Sequence, residues 1–585
     1  MTLRFPTQTL VRFFLLKTLG LLTPAIWLST AALSQELPAS ACQRFPAGSI
    51  LSSPQDRRSQ HGVLEVDLSF RNFLDAAGQM RYCYVSDDGV QSPTLRVYPG
   101  DLLILHLKND LLSLPPTAAP GHAHLMPGSC GSGTMSESAT NLHFHGLVIP
   151  PVCHQDDSLQ TLIQPTDPQF EYRFRIPADQ PPGLYWYHPH PHGFSEAQVL
   201  GGASGALIVE GIEQANRLIA GLPERIIVIR DQRVASTRVD PAKPGKDLSL
   251  NFVPVPYPDY TLAVIQMRPS ERQFWRVLNA SADTYVDLKL LFDGKPQFLG
   301  VIALDGIPIG YEDGVPRNHV LWESHVALPP AGRAEFVVNG PPEGVQASLA
   351  TQAVVTGPVT GLAPTPAAAR AAPANGTDAA GGDDDHSPPR PLATIVASAS
   401  AVEPPSLLPA SPVPLPPPSL PPLASVKPVR ERKLYFSEQL QDPKDPNSAT
   451  IFYITEQGKT PKAFDPASPA PDIVVRQGDV EDWTIENRST ETHAFHIHQA
   501  HFMVVESHGV PVHQPYLRDT VNVQFWNGYS AQYPSVKLRM DFRGRGIVGT
   551  FPYHCHILQH EDGGMMGTIR VEPAAPSTAV PMASK

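Results

Sequence analysis

A chain of 585 residues is too long for one domain and, at about 150 residues per unit, reads as three or four. Its formal net charge of -12 excludes a general nucleic-acid binder. With 65 prolines, 42 glycines and only 17% charged residues, the composition suits strands, turns and loops better than long helices.

The N-terminus reads as an export signal. Arg4, Arg12 and Lys17 form a basic region, LGLLTPAIWLSTAAL follows, and Ala32 and Ser34 suit cleavage before Gln35, so residues 1–34 are expected to be removed. The apolar run is short and interrupted by Pro24, which argues against a stable membrane anchor. A periplasmic or secreted protein is expected, and with it disulfides. Cys42, Cys83, Cys130 and Cys153 can form two bridges in any of three pairings, and Cys555 is left over.

Further along, one pattern recurs: PGDLLILHLKN at 99–109, PSERQFWRVLN at 269–279 and QGDVEDWTIEN at 477–487. Each opens with a turn, continues with apolar residues at every second position, and ends on Asn. That is the period of a strand with one buried face, and its repetition predicts an all-β chain of three antiparallel sandwiches, at 60–213, 222–355 and 431–574. The stretch between the last two, 356–430, is rich in Pro and Ala and poor in large apolar residues, and is expected to be a linker, partly extended in polyproline form and partly disordered, with an ordered loop across the domain surface as the alternative for 404–423.

Histidines are concentrated in four motifs: HFHG at 143–146, YWYHPHPHG at 185–193, HAFHIH at 493–498 and HCHILQH at 554–560. On a strand, HxH places both imidazoles on one face. A single HxH is weak evidence, as HAH at 122–124 illustrates; it is expected to be a loop feature. In the last motif His554 and His556 share one face while Cys555 points to the other, so one strand can serve two metal sites. A thiolate with imidazoles and a weak thioether is the blue-copper donor set, here Cys555, His493 and His560 with Met565 as axial candidate. Eight histidines remain: His143, His145, His188, His190, His496, His498, His554 and His556. They suit a three-copper cluster that binds dioxygen; a closed four-ligand zinc site would leave most of them unused.

On these motifs and their order, the chain resembles the three-domain multicopper oxidases of the bacterial laccase-like type. The resemblance implies three cupredoxin-like Greek-key β-sandwich domains and four copper ions: one type 1, one type 2 and two type 3. It assigns His143 and His496 to the type 2 copper. His145, His188, His190, His498, His554 and His556 then hold the type 3 pair, and the second domain holds no ligand. His192 and Met566, beside the assigned ligands, are read as a turn residue and a core residue. The resemblance further implies electron transfer from a small reducing substrate through His560 or His493 and along Cys555 to the cluster, where dioxygen becomes water. Glu561 matches the family's acidic proton-supplying position, and Asp156 a second one, with Asp157 as rival. A phenol or aromatic amine is the expected substrate, because the ten methionines form no Met-rich insert of the kind suited to Cu(I). The alternatives are oxidation of Cu(I) or Fe(II), or a non-catalytic interaction protein on the same scaffold.

Overall fold

The computed structural model describes residue 42 and residues 44–112, 129–130, 135–233, 245–311, 317–357, 387–409, 420–445, 448–468, 470–514 and 516–574. The export signal, the HAH motif and parts of the expected linker (358–386 and 410–419) lie outside them. No helix among the described residues is long and apolar enough to cross a membrane.

Alternation of apolar and polar residues builds strands whose inner faces fill three cores. In Val63–Leu74, for instance, Leu64, Val66, Leu68 and Phe70 point inward and their neighbours are more exposed. In the first sandwich a four-stranded sheet holding Val63–Leu74 and Leu102–Asn109 packs on a five-stranded sheet that ends in Gly183–His188 and His143–His145. The second pairs an eight-stranded sheet, with Glu224–Arg233, Arg272–Asn279 and Arg333–Asn339 in its centre, with a six-stranded one. The third sets a six-stranded sheet around Val480–Asn487 against a five-stranded sheet containing His493–Ile497 and Gly549–Cys555. The fold is cupredoxin-like in all three.

The three repeats occupy one topological place. Leu102–Asn109 runs parallel to Val63–Leu74, Arg272–Asn279 parallel to Glu224–Arg233, and Val480–Asn487 parallel to Arg430–Leu440. The sheets are therefore mixed, where antiparallel sheets were expected. A connection that passes through the opposite sheet returns in the original direction, so the next strand lands parallel.

The terminal Asn of each repeat is buried and does one job. Asn109, Asn279 and Asn487 each accept, on Oδ1, the N–H of the residue two ahead, at 3.0, 3.3 and 2.9 Å. Each donates Nδ2 to backbone carbonyls of neighbouring loops, such as Ile163 O, Leu328 O and Val523 O. A side-chain amide here replaces the ladder bonds that end with the strand.

The expected linker needs correction. Arg390–Ala397 is a strand in the core of the second sandwich, parallel to Ala263–Met267 and antiparallel to Ala347–Thr351, with Leu392 and Ile395 buried. Beyond it, Pro405 O accepts Glu224 N at 2.8 Å and Leu407 is buried, which favours the ordered-loop alternative at that point of the stretch. Residues ahead of the expected first domain also pack: Leu51 sits in the second core. The disulfides left open by sequence are Cys42–Cys83 and Cys130–Cys153, and Cys555 is free and buried.

Candidate metal centres

Two strands of the third sandwich each serve two sites. Along His493–Ile497, His493 and Phe495 face the core while His496 faces outward. Along Gly549–Cys555, Cys555 faces the core, and His554, paired with His496 across the strands, faces out.

On the core side, His493 Nδ1, His560 Nδ1 and Cys555 Sγ form a triangle with edges of 3.0, 3.6 and 3.7 Å. All three residues are fully buried. His560 arrives on the short helix Leu558–Asp562, after which Gly563 and Gly564 turn the chain back into Met566–Glu572. Gly564 has φ +109° and a Cβ there would lie 2.8 Å from Ala463, so the turn requires glycine. Met565 N donates to His560 O at 2.9 Å and Cys555 N to Met565 O at 3.1 Å, which seats the buried Met565 beside the triangle. Phe452 stacks on His560 at 4.3 Å, and Phe436 packs on His493 at 4.7 Å.

On the outward side the remaining eight histidines meet those of the first sandwich. His145, His188 and His556 form one trio of converging nitrogens and His190, His498 and His554 a second; His143 and His496 approach beside His145. His554 Nε2 lies 3.3 Å from His190 Nε2 and 3.2 Å from His498 Nε2. Every member is buried.

This donor set fits copper ions. His143 Nε2, His145 Nδ1, His188 Nε2, His496 Nε2 and both nitrogens of His556 are buried without a protein partner, an arrangement costly unless a cation receives their lone pairs. Burial keeps the imidazoles neutral, as ligation requires: it lowers His496 to about 4 and holds His143, His145, His188, His498, His554 and His556 well below the usual histidine range. Backbone carbonyls fix several tautomers. His188, His496 and His554 donate Nδ1–H to Pro189 O, Asp519 O and Cys555 O, each at 2.9 Å, which turns Nε2 toward the cluster.

The two candidate acids separate from their neighbours. Asp156 is buried, accepts Phe144 N at 2.9 Å and meets His143 Nδ1 at 3.0 Å; burial pushes its carboxyl up. Asp157, the rival, caps its own turn through Gln160 N at 3.1 Å. Glu561 is buried with Oε1 3.7 Å from His192 Nδ1. His192 thus turns to that carboxylate, while other residues complete the trios. Met566 pairs with His554 across the strands and is buried, as expected of a core residue.

Sequence reasoning missed the groups that orient these ligands. Ser158 Oγ lies 3.4 Å from His498 Nδ1, Ser489 Oγ 2.6 Å from His493 Nε2, and Glu491 Oε2 3.3 Å from His560 Nε2. Asp519 and Gln499 stand behind the cluster, Gln499 donating to Asp156. Only the proximity in the chain of Ser489 and Glu491 to His493, and of Gln499 to His498, could have flagged any of them.

A family model described as multicopper oxidase matches residues 134–214, and a second of the same description matches 442–575, the two segments that carry every ligand above. The chain belongs to the multicopper oxidases. A multicopper oxidase of Staphylococcus haemolyticus is 23% identical over 82% of this chain and 81% of its own. Among solved structures, a Campylobacter jejuni multicopper oxidase, a metallo-oxidase, superposes with TM-score 0.60 at 22% identity, over 90% of this chain and 96% of its own. A laccase-like multicopper oxidase from the lignin-degrading Ochrobactrum sp. superposes with TM-score 0.58 at 20% identity, over 89% and 100%. This multicopper oxidase is accordingly an oxidoreductase that uses copper and oxygen.

Proposed function

We propose that the enzyme oxidises a phenol or aromatic amine one electron at a time at the His560 edge and reduces dioxygen to water in the histidine cluster. Four copper ions, one in the Cys555 triangle and three in the cluster, would supply the redox chemistry. His493 and His560 both turn Nδ1 to the triangle, so each presents Nε2 outward. The His493 edge is closed, with Nε2 on the buried hydroxyl of Ser489 at 2.6 Å. The His560 edge faces Glu491, whose side chain is partly exposed while its Oε2, 3.3 Å from His560 Nε2, is buried against the imidazole, and this observation carries the reading. A carboxylate there can accept the phenolic proton while the electron leaves through the imidazole. Cys555 lies between His554 and His556 in the chain, so a covalent path joins the two centres. Asp156, against His143, and Glu561, against His192, would hold and relay protons for the cluster.

The same carboxylate could instead hold a cation, and the Campylobacter relative favours that second reading, oxidation of Cu(I) or Fe(II). The two are separated by kcat/KM for a dimethoxyphenol, Cu(I) and Fe(II), each with wild type and Glu491→Gln. The phenolic reading predicts efficient phenol turnover that falls about 10²-fold in the variant while the blue band is unchanged. Metal-ion turnover exceeding phenol turnover by a hundredfold would sink it. The two cystine bridges support an exported, oxidising location.

A further inference from the structure

The second sandwich carries none of the ligands named above, yet one of its side chains reaches the cluster. Arg333, at the start of Arg333–Asn339, is fully buried and uses all five N–H groups. Nε donates to Leu184 O of the first sandwich at 3.3 Å. Nη1 donates to Ala331 O at 3.0 Å and Nη2 to Asp305 O at 2.8 Å. The remaining two N–H groups form a fork on Asp519 of the third sandwich, Nη1 to Oδ1 at 2.9 Å and Nη2 to Oδ2 at 2.5 Å. One guanidinium thus touches all three sandwiches.

Asp519 in turn faces two histidines of the cluster with two different groups. Its Oδ1 lies 3.4 Å from His145 Nε2, and its backbone O accepts His496 Nδ1 at 2.9 Å. Those contacts occupy the nitrogens on the far side from the cluster. The opposite nitrogens, His145 Nδ1 and His496 Nε2, are the ones left without a protein partner. Thr520 Oγ1 donates to the same Oδ1 at 2.8 Å and fixes the carboxylate further. Burial alone would raise the Asp519 pKa, but the Arg333 charge outweighs it and holds the carboxyl well below its usual range. The space is built for this pair. The residue after His145 is Gly146, with φ +86°, and a Cβ there would lie 2.8 Å from both Arg333 Nη2 and Asp519 Oδ2.

We propose that Arg333 and Asp519 form a clamp by which the ligand-free second sandwich fixes the ring orientation and tautomer of His145 and His496. Both are positioning residues for the copper cluster, and the inference rests on the copper assignment made above. An ion pair that merely joined sandwiches would not need Asp519 to touch one ligand with its carboxylate and another with its carbonyl. Orienting partners of this kind typically change metal affinity by about 10- to 100-fold.

The test uses purified, copper-loaded enzyme carrying Asp519→Asn, Arg333→Lys or Asp305→Asn. Asparagine keeps the shape of Asp519, and lysine keeps the charge of Arg333 without its fork. Asp305 bonds Arg333 N and Arg518 and its Oδ1 lies 3.7 Å from Arg333 Nη1, but its carboxylate makes none of the bonds to His145 or His496 that Asp519 makes, so Asp305→Asn removes a buried charge beside Arg333 while leaving the Asp519 contacts in place. Copper retention against a chelator and the type 2 electron paramagnetic resonance spectrum report on the cluster; the blue absorption reports on the Cys555 site and on folding. For Asp519→Asn the clamp predicts a 10- to 100-fold weaker hold on cluster copper and an altered type 2 spectrum, with the blue band unchanged. Arg333→Lys should shift the same signals less, and Asp305→Asn, which leaves the Arg333–Asp519 fork intact, less still. Wild-type copper retention and spectrum in Asp519→Asn would overturn the clamp, as would equal losses in Asp305→Asn. If Asp519→Asn does not fold, Arg333→Lys decides on the same signals. Wild-type enzyme without cluster copper would instead overturn the underlying assignment.

Discussion

Glu561 shows how much one position can carry. It follows the triangle ligand His560, is fully buried, and faces His192, whose side chain is 15% exposed. A buried carboxylate beside a solvent-touching imidazole suits the proton relay proposed above. Glu561→Gln is therefore expected to keep copper content and the blue band, because no donor atom changes. Anaerobic reduction by substrate should stay fast, and reoxidation by dioxygen should slow by about 10²-fold or more. Stopped-flow spectroscopy of the two half-reactions checks this; slow reduction with normal reoxidation would place Glu561 on the substrate side instead. The ligands themselves were legible because metal chemistry restricts them to few residue types and the strand period restricts their spacing. Glu491, Asp519 and Arg333 were not. A carboxylate or guanidinium in a loop or strand has no spacing of its own: Glu491 meets His560 only when the third sandwich closes, and Arg333 meets Asp519 only when the sandwiches dock.

At the scale of elements, the repeat strands announced themselves through alternation and a terminal Asn, whereas Arg390–Ala397 was hidden by its surroundings. Proline-rich sequence flanks it, and Pro391 lies inside it. The sheet absorbs that proline at an irregularity: Ala350 pairs with Pro391 and Leu349 with Ala393, so Leu392 is the extra residue. A residue without an N–H is tolerated where the ladder already skips. Leu392 is fully buried, and truncation leaves a cavity the sheet cannot close. Leu392→Ala should therefore lower the unfolding free energy by about 2–5 kcal/mol, measured in urea, whereas a true linker would register almost nothing. A loss below about 0.5 kcal/mol, the size typical of surface positions, would contradict a core role for this strand.

For the whole molecule, the histidine cluster is split between first and third sandwiches, so its geometry is a property of domain docking. The second sandwich braces both. Toward the third it uses Arg333, which meets Asp519 there, and toward the first a buried network in which Glu224 Oε2 takes Arg96 Nη2 and Oε1 takes Arg276 Nε, each at 2.5 Å. Arg276 also pairs with Glu335, which accepts Leu184 N at 2.9 Å. Burial opposes ionisation of Glu224, but the Arg276 and Arg96 charges outweigh it and lower its pKa from 4.5 to about 2. A depressed carboxyl contributes stability above its unfolded value, and that contribution is lost as pH falls from 4.5 through about 2. At about 1.36 kcal/mol per unit, the full effect is about 3 kcal/mol. Glu224→Gln removes the titrating group, so its deficit against wild type should be largest near neutrality and narrow as pH falls through that window. Acid also strips metal from histidine ligands, but it does so in both proteins and cancels in the difference. Urea unfolding of the two side by side, from neutral pH to about pH 3, checks the prediction. A constant gap would mean that Glu224 gains as little from its arginines as an uncharged amide does.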